Sequence, residues 1–375
     1  LDLFLSTFEK IQFKMRLIIP LLLLNLLIFS CEGAYKRSKG VARVEFEHIL
    51  QDSTLSIRAL DFNDEYLFYG SADHIGKRAL TSQFKIDLDE MSANKGKHHF
   101  KHYITYKNDT LHFRAIEEVN GDFFAISIEN PARLYRLKRK STRPKLVYEE
   151  IGEKVFYDAM AFWNDKEGIA IGDPVENCMS IIITRDGGDT WTKIPCELLP
   201  EAKEGEAAFA ASNTNIAIAG DKTWVATGGK TSRILYSGDK GKTWESVSVP
   251  VIQGKTTTGI YSIDFYDEKN GFAIGGDYTQ PDANLKNKLR TKDGGKTWHV
   301  VADGKGPGYR SCVQYLPNSK AEALVAVGFK GIDYSNDAGD TWIHLSDEPY
   351  YTIRFIDETT AYAAGKGRIS KITFK

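Results

Sequence analysis

The sequence lacks several features that would assign a chemistry outright. Its 375 residues include four cysteines and no Cys-x-x-Cys pair, so a paired thiolate metal clamp is not available. No Gly-x-Gly-x-x-Gly strand–helix unit occurs, which removes the usual signature of a dinucleotide-dependent oxidoreductase. Basic and acidic residues number 49 and 50, a formal charge of −1. A chain so balanced has no general attraction for phosphate backbones or anionic lipid, and nucleic-acid binding is not expected. Helical heptads and long low-complexity runs are absent. His98, His99 and His102 have metal-capable side chains, but they lie in a Lys-rich polar stretch that reads as a solvated loop. No metal and no cofactor is expected.

One long hydrophobic run is present. Met15 to Cys31, "MRLIIPLLLLNLLIFSC", has a short positive start at Arg16 and an apolar stretch through Phe29. It is too short and one-sided for a stable span and reads as a secretory signal. Leu27-Ile28-Phe29-Ser30 followed by Cys31 resembles a bacterial lipobox, which implies cleavage before Cys31 and lipidation of its thiol. The expected organisation is residues 1–30 as upstream extension and signal, 31–40 as tether, and 41–375 as one domain. The address is the bacterial cell envelope, with lipid as the only membrane contact.

The body of the chain repeats itself. "ITRDGGDTWTKI" from Ile183 returns as "YSGDKGKTWESV" from Tyr236, "RTKDGGKTWHVV" from Arg290 and "YSNDAGDTWIHL" from Tyr334. Trp191, Trp244, Trp298 and Trp342 are spaced by 53, 54 and 44 residues, the range of one four-stranded propeller blade per repeat. In Phe156 to Cys196, "FYDAMAFW", "GIAIGD", "MSIIIT" and "TWTKIPC" read as four short strands punctuated by turn residues. Strand–turn–strand patterns from Ser56, His112 and Tyr351 extend the series to seven units. The last has only three strands before the chain ends, and "VARVEFEHIL", Val41 to Leu50, is free to supply the fourth. The fold class is therefore all-β, a seven-bladed propeller of antiparallel four-stranded blades. Pairing of the N-terminal strand with Arg368 to Phe374 would close the ring and remove its exposed edges.

The repeated motif matches the Asp-box, or bacterial neuraminidase repeat. Its copies are Asp186, Gly188 and Trp191; Asp239, Gly241 and Trp244; Asp293, Gly295 and Trp298; and Asp337, Gly339 and Trp342. Asp accepts hydrogen bonds from turn N–H groups, Gly takes positive φ, and Trp packs between layers. These residues are expected to be structural.

From roughly Leu55 to Lys375 the chain resembles propellers of the photosystem II stability/assembly factor type, which share these boxes and a Gly-rich second strand, here "GIAIGD" from Gly168, "IAIAGD" from Ile216, "GFAIGGD" from Gly271 and "LVAVG" from Leu324. The resemblance implies a non-catalytic, monomeric propeller that binds segments of partner proteins. Sialidases also carry Asp-boxes, so a glycan partner and a glycoside hydrolase are the alternative. Their Phe/Tyr-Arg-Ile-Pro tetrapeptide is absent, and no spacing singles out a carboxylate pair, Asp158 and Glu206 being conceivable.

On a propeller the long loops share the face opposite the box turns. The expected binding ring comprises Arg58, Arg114, Asp158, Glu206, Tyr261, Tyr309, Arg310 and Arg354 around the central channel. Asp221 to Arg233 and Asp277 to Leu289 are read as long loops beside it, the first carrying Trp224, a residue outside every repeat position and open to two readings, a binding contact or packing against a neighbouring blade. Of the cysteines, Cys178 and Cys196 sum to 374 about a turn centred near Gly187. They should face each other across strands three and four as a disulfide, leaving Cys312 a buried thiol.

Overall fold

Strand two of each blade is nearly continuous in apolar and small residues, because it is covered on both faces by neighbouring blades. Gly271–Asp277 and Leu324–Gly328 are buried throughout, whereas the outer strand Glu245–Ser248 is mostly exposed. This gradient, from buried inner strands to solvated outer ones, is repeated around a ring. The computed structural model describes residues 40–80, 99–139, 141 and 143–375. Cys31, the signal and the tether before Gly40, and His98, lie outside the described residues.

Seven first strands surround an axis: Ala59–Phe62, Phe113–Val119, Tyr157–Phe162, Ile216–Ala219, Thr258–Phe265, Cys312–Tyr315 and Thr352–Phe355. Each pairs antiparallel with the strand that follows it. Blades one to six then add a third and a fourth strand in the same order. In the seventh, the run Thr360–Phe374 folds back on itself, since Phe374 N–H donates to Thr359 O at 2.7 Å. Gly367, at φ 75°, sits in the bend, where only glycine is free of Cβ strain.

Ring closure follows the expected register. Val44–Ser56 pairs with the end of the chain, Val44 opposite Phe374, Leu50 opposite Ile369 and Gln51 opposite Arg368. Ala42 N–H also donates to Lys375 O at 2.7 Å, and Phe46 stacks on Tyr350. The fourth strand of blade seven thus comes from the other end of the domain.

The four repeated turns share one geometry. Asp239 accepts from the N–H groups of Lys242 and Thr243 at 3.0 and 2.9 Å and from Thr243 Oγ1 at 2.6 Å. Asp186, Asp293 and Asp337 bind Thr190, Thr297 and Thr341 in the same way. Gly188, Gly241, Gly295 and Gly339 have φ between 76° and 88°. An added Cβ on them would strike Phe124, Ile183, Trp224 and Phe272, all in the preceding blade. Glycine is therefore doubly required, by the turn and by blade-to-blade packing. Trp244, Trp298 and Trp342 each donate Nε1–H to their own box glycine at 3.1 Å.

Two readings are corrected by the coordinates. "IAIAGD" was expected to be a second strand, but Ile216–Ala219 is the first strand of blade four and Lys222–Ala226 the second. Asp221 to Arg233 is consequently ladder rather than loop for much of its length. Trp224 is fully buried, stacked on Phe265 at 3.5 Å, with Nε1–H on Gly294 O at 3.0 Å. It joins blades four and five and has no place in a binding ring. The second correction concerns register. Ile182 pairs with Lys193 and Ile183 with Thr192, sums of 375 rather than 374. Cys196 starts a short 3-10 turn after the ladder ends, and that departure brings it to Cys178 in a disulfide with Cα atoms 5.5 Å apart. Cys312 is a buried free thiol.

Candidate functional site

The segment that leads into blade four does not behave like its counterparts. In Gly205 to Asn215, "GEAAFAASNTN", small residues replace the apolar alternation of a strand, and the ladder begins only at Ile216. The preceding residues cross the channel and bond to every other blade in turn. Ala211 O accepts from Arg58 beside blade one at 3.4 Å, and Asn213 Nδ2 donates to Ile116 O of blade two at 2.8 Å. Asn213 Oδ1 accepts Met160 N–H of blade three at 2.9 Å, and Thr214 O accepts Ile263 N–H of blade five at 2.8 Å. Ser212 Oγ donates to Ser311 O beside blade six at 2.6 Å, and Ser212 O accepts from Thr352 Oγ1 of blade seven at 3.0 Å. A segment touching six surrounding blades can only lie on the axis. It is a stopper: polar backbone and short side chains satisfy the inward-facing groups that an open channel would leave to water.

Above the stopper, on the loop-bearing face, lies a cavity of about 450 Å³. Ala207 to Ala211 line it. Arg58, Arg114 and Asp158 stand on one side, and Phe209, Tyr261, Tyr278, Tyr309 and Phe329 form an aromatic wall on the other, with Tyr351 completing the rim. Phe209 stacks face to face on Tyr261 at 3.9 Å, and Tyr309 meets Tyr261 edge-on at 4.8 Å. Stacked and edge-on rings of this kind fix one another and leave a rigid apolar surface. Five residues of the expected ring therefore share one cavity: Arg58, Arg114, Asp158, Tyr261 and Tyr309.

The cavity's charges are incompletely paired. Arg58 lies over the Tyr351 ring, 4.2 Å from its centroid, and makes its one hydrogen bond to Ala211 O. Arg114 makes no hydrogen bond or ion pair among the described residues; burial, and then the charge of Arg58, lower its pKa. Asp158 is fully buried; neither carboxyl oxygen has a hydrogen bond of good geometry, though the backbone N–H of Ala210 faces it and favours the ionised form. Burial, reinforced by Asp173, pushes its pKa well above the usual carboxylate range, and the nearby Arg114 offsets only part of that. Asp173 accepts Ala208 N–H at 2.7 Å, yet burial still raises it to about 6.

The other expected site residues are engaged elsewhere. Glu206 is tied to Arg233, Oε2 to Nη2 at 2.7 Å, and accepts from Thr227 Oγ1 at 2.7 Å. It does not line the cavity that holds Asp158. Arg310 is buried in an ion pair with Asp333, Nε to Oδ2 2.6 Å. Arg354 reaches the carbonyls of Ser212 and Asn213 and, deeper along the channel, faces the half-buried carboxyls of Asp61, Glu117 and Asp264. Among the described residues no group of three or more His, Cys, Asp or Glu is placed to hold a metal ion. His99 belongs to a strand, His99–Tyr103, rather than to a solvated loop, and bonds Tyr69 Oη at 2.7 Å.

Sequence reasoning missed Phe209, Tyr278, Phe329, Tyr351 and Asp173. Tyr278 and Phe329 were within reach: one opens the long excursion between Asp277 and Lys288, the other the tight turn after Gly328. Phe209 and the stopper carried a signal too, a run of alanines where a first strand should start.

Comparison with known proteins agrees with this architecture. A family model described as photosynthesis system II assembly factor YCF48 matches residues 145–253, from the outer strand of blade two to just beyond blade four. No curated protein matches the chain. Among solved structures, YCF48 bound to a D1 peptide superposes with a TM-score of 0.60 at 12% identity, covering 90% of this chain and 100% of that one. YCF48 from Cyanidioschyzon merolae gives 0.55 at 12% identity, covering 88% and 98%. The Pan2 WD40 domain of Neurospora crassa gives 0.56 at 14% identity, covering 85% and 89%, so these likenesses speak to the fold. By fold the chain is a seven-bladed propeller, and over its third and fourth blades its sequence is similar to the YCF48 assembly factors.

Proposed function

We propose that this propeller is a binding and assembly module that captures a segment of a partner protein in the stoppered cavity on its loop-bearing face. The observation that carries this reading is the cavity itself. It sets a rigid aromatic wall against two guanidinium groups whose donors are largely unspent, over a floor that blocks passage through the ring. Such a site favours an extended segment that offers one apolar side chain and one polar group. The YCF48 structure that holds a D1 peptide supplies a precedent for a protein segment as the ligand of this fold. The reading includes lipid attachment through Cys31, with the propeller acting at a leaflet of the bacterial envelope.

The test is affinity capture from detergent-solubilised envelope with the anchored protein, beside a variant carrying Arg58→Ala and Arg114→Ala. A reproducible partner lost in the double variant supports the reading. Equal capture by both proteins would sink it. A glycan hydrolysis screen runs in parallel, because Asp158 and Asp173 line one cavity and both have raised pKa values. Sugar release that disappears in Asp158→Asn would replace the binding reading by a hydrolase.

A further inference from the structure

We propose that the cavity accepts a carboxylate of its ligand between Arg58 and Arg114, and that Asp158 takes part in the complex as a protonated carboxyl donating its O–H to that ligand. This rests on the reading of the cavity as the ligand site and adds the chemistry of what enters it.

Three observations converge. Arg114 is half-buried, has no hydrogen-bond or ion-pair partner among the described residues, and lies close enough to Arg58 for the two charges to disfavour each other. An anion between them would relieve that repulsion and use donors that, the Arg58 bond to Ala211 O aside, no described residue takes; carboxylate geometry matches the guanidinium fork. Asp158 is the second observation. A fully buried carboxyl with neither oxygen in a hydrogen bond of good geometry is costly in the free protein. The groups facing it are Arg114 from blade two, Asp173 from the second strand of its own blade and the Ala210 N–H of the stopper. Arg58, Tyr261, Tyr309 and Tyr351 complete the charged and titratable lining. Ionised, Asp158 would set a second negative charge beside Asp173; protonated, it carries an O–H that lacks an acceptor. A ligand carboxylate supplies the acceptor.

The third observation is the aromatic wall, which gives the carboxylate's neighbouring group a place to pack. Tyr261 Oη is already committed to Thr257 O at 2.8 Å, so the wall presents ring faces rather than hydroxyl donors at that point. The ligand would therefore combine a carboxylate with an adjacent apolar or ring-bearing group.

The sign of the pH effect follows. An acid whose pKa is raised by the site holds its proton at low pH and loses it as pH rises, and the ionised form repels an anionic ligand. Affinity for a carboxylate should thus fall as pH increases through 6, where Asp173 ionises, and over the raised range in which Asp158 loses its proton. One linked proton allows up to about tenfold per pH unit.

The probes are N-acetylphenylalanine, its amide, N-acetylglutamate α-amide and N-acetylneuraminic acid. They are titrated by calorimetry into the mature protein at pH 6 and pH 9, in two buffers of different ionisation enthalpy. The expected result is millimolar binding, about −4 kcal/mol, of at least one carboxylate. It should weaken at least tenfold toward pH 9, with buffer-dependent heat reporting proton uptake and with no binding of the amide. Arg114→Gln should lose most of this affinity. Asp158→Asn keeps a donor but no acidic proton, so its pH profile, not its affinity at one pH, is the readout, and that profile should flatten. Should the variant fail to fold, buffer-dependent heat on the unmodified protein decides the same point. Equal binding of acid and amide overturns the proposal, as does binding without proton uptake at either pH or no binding by any probe. Binding of N-acetylneuraminic acid alone would leave the carboxylate site standing and remove the protein-segment reading. Binding of the glutamate derivative but not the phenylalanine acid would assign the carboxylate to a side chain rather than a chain end.

Discussion

Asn213 is the residue whose removal best tests the stopper. Its side chain accepts Met160 N–H at 2.9 Å and donates to Ile116 O at 2.8 Å, spanning blades two and three from the axis. The residue is buried and holds φ at 57°, a region asparagine tolerates better than most side chains. Asn213→Ala would strand one buried N–H and one buried C=O. At roughly 1–3 kcal/mol for each unsatisfied group, the loss comes to about 2–6 kcal/mol. Asn213→Gly forfeits the same two bonds without Cβ strain at this φ. The difference between the two variants isolates the backbone component, about 1 kcal/mol. Urea unfolding followed by tryptophan fluorescence, with the slope unchanged between variants, measures both. A loss below about 0.5 kcal/mol for Asn213→Ala, within the range of ordinary surface substitutions, would show that the segment does not tie the blades together. The axis would then have to be treated as water-filled.

Asp239→Ala removes an acceptor shared by two backbone N–H groups and a threonine hydroxyl and should cost about 1 kcal/mol or somewhat more near neutral pH, read from the urea midpoint. Asp239 is held down to about 2 by its hydrogen bonds against the penalty of burial. Its stabilisation is therefore present above the ordinary carboxylate range and lost as pH falls through 2, and the wild-type and variant curves should converge there. Replacing Cys178 and Cys196 by Ser opens a loop of 18-residue separation and should lower stability by about 3 kcal/mol, with no effect if the pair is reduced in the purified protein, which free-thiol titration would reveal. Asp158 has its pKa raised on folding, so its contribution is greatest at low pH and declines as pH rises above the unfolded value. Asp158→Asn should accordingly flatten the fall in stability between pH 4 and pH 8, and an unchanged profile would mean that the carboxyl is satisfied in solution.

The parts of the fold that were legible are those where one physical requirement acts on every repeat. The box glycines combine positive φ with a neighbouring ring pressed against the missing Cβ, so no other residue serves, and four copies stay readable over a period that itself drifts. Ring closure was legible for a related reason: a unit with three strands and an unclaimed strand at the opposite terminus have one economical solution. The disulfide was reached through a register wrong by one residue, because the ladder ends at Lys193 and a 3-10 turn, which no periodicity announces, carries Cys196 to its partner.

The candidate site was half legible, and the division has a cause. Arg114 and Asp158 follow immediately on Phe113 and Tyr157, the buried residues that open their first strands, and Arg58 follows buried Ile57 one residue ahead of its own, so the repeat places all three. Arg310 and Glu206 look equivalent in sequence, but each has a buried partner of opposite charge, Asp333 and Arg233, that only the fold brings near. Trp224 stands outside the repeat and was weighed as a ligand contact, yet its ring fills the space between Phe265 and the box glycine Gly295. A residue that departs from a repeat is thus not functional on that ground alone. The informative departure is longer: from Gly205 to Asn215 a whole first-strand approach loses its apolar alternation. The chain gives up ladder pairing there and gains bonds to six blades. It forms the floor of the cavity and delivers Phe209 to the aromatic wall. A segment that abandons its own blade to order the axis is where a repeat protein most plainly departs from scaffold, and the unpaired arginine and poorly satisfied carboxyl lie directly above it.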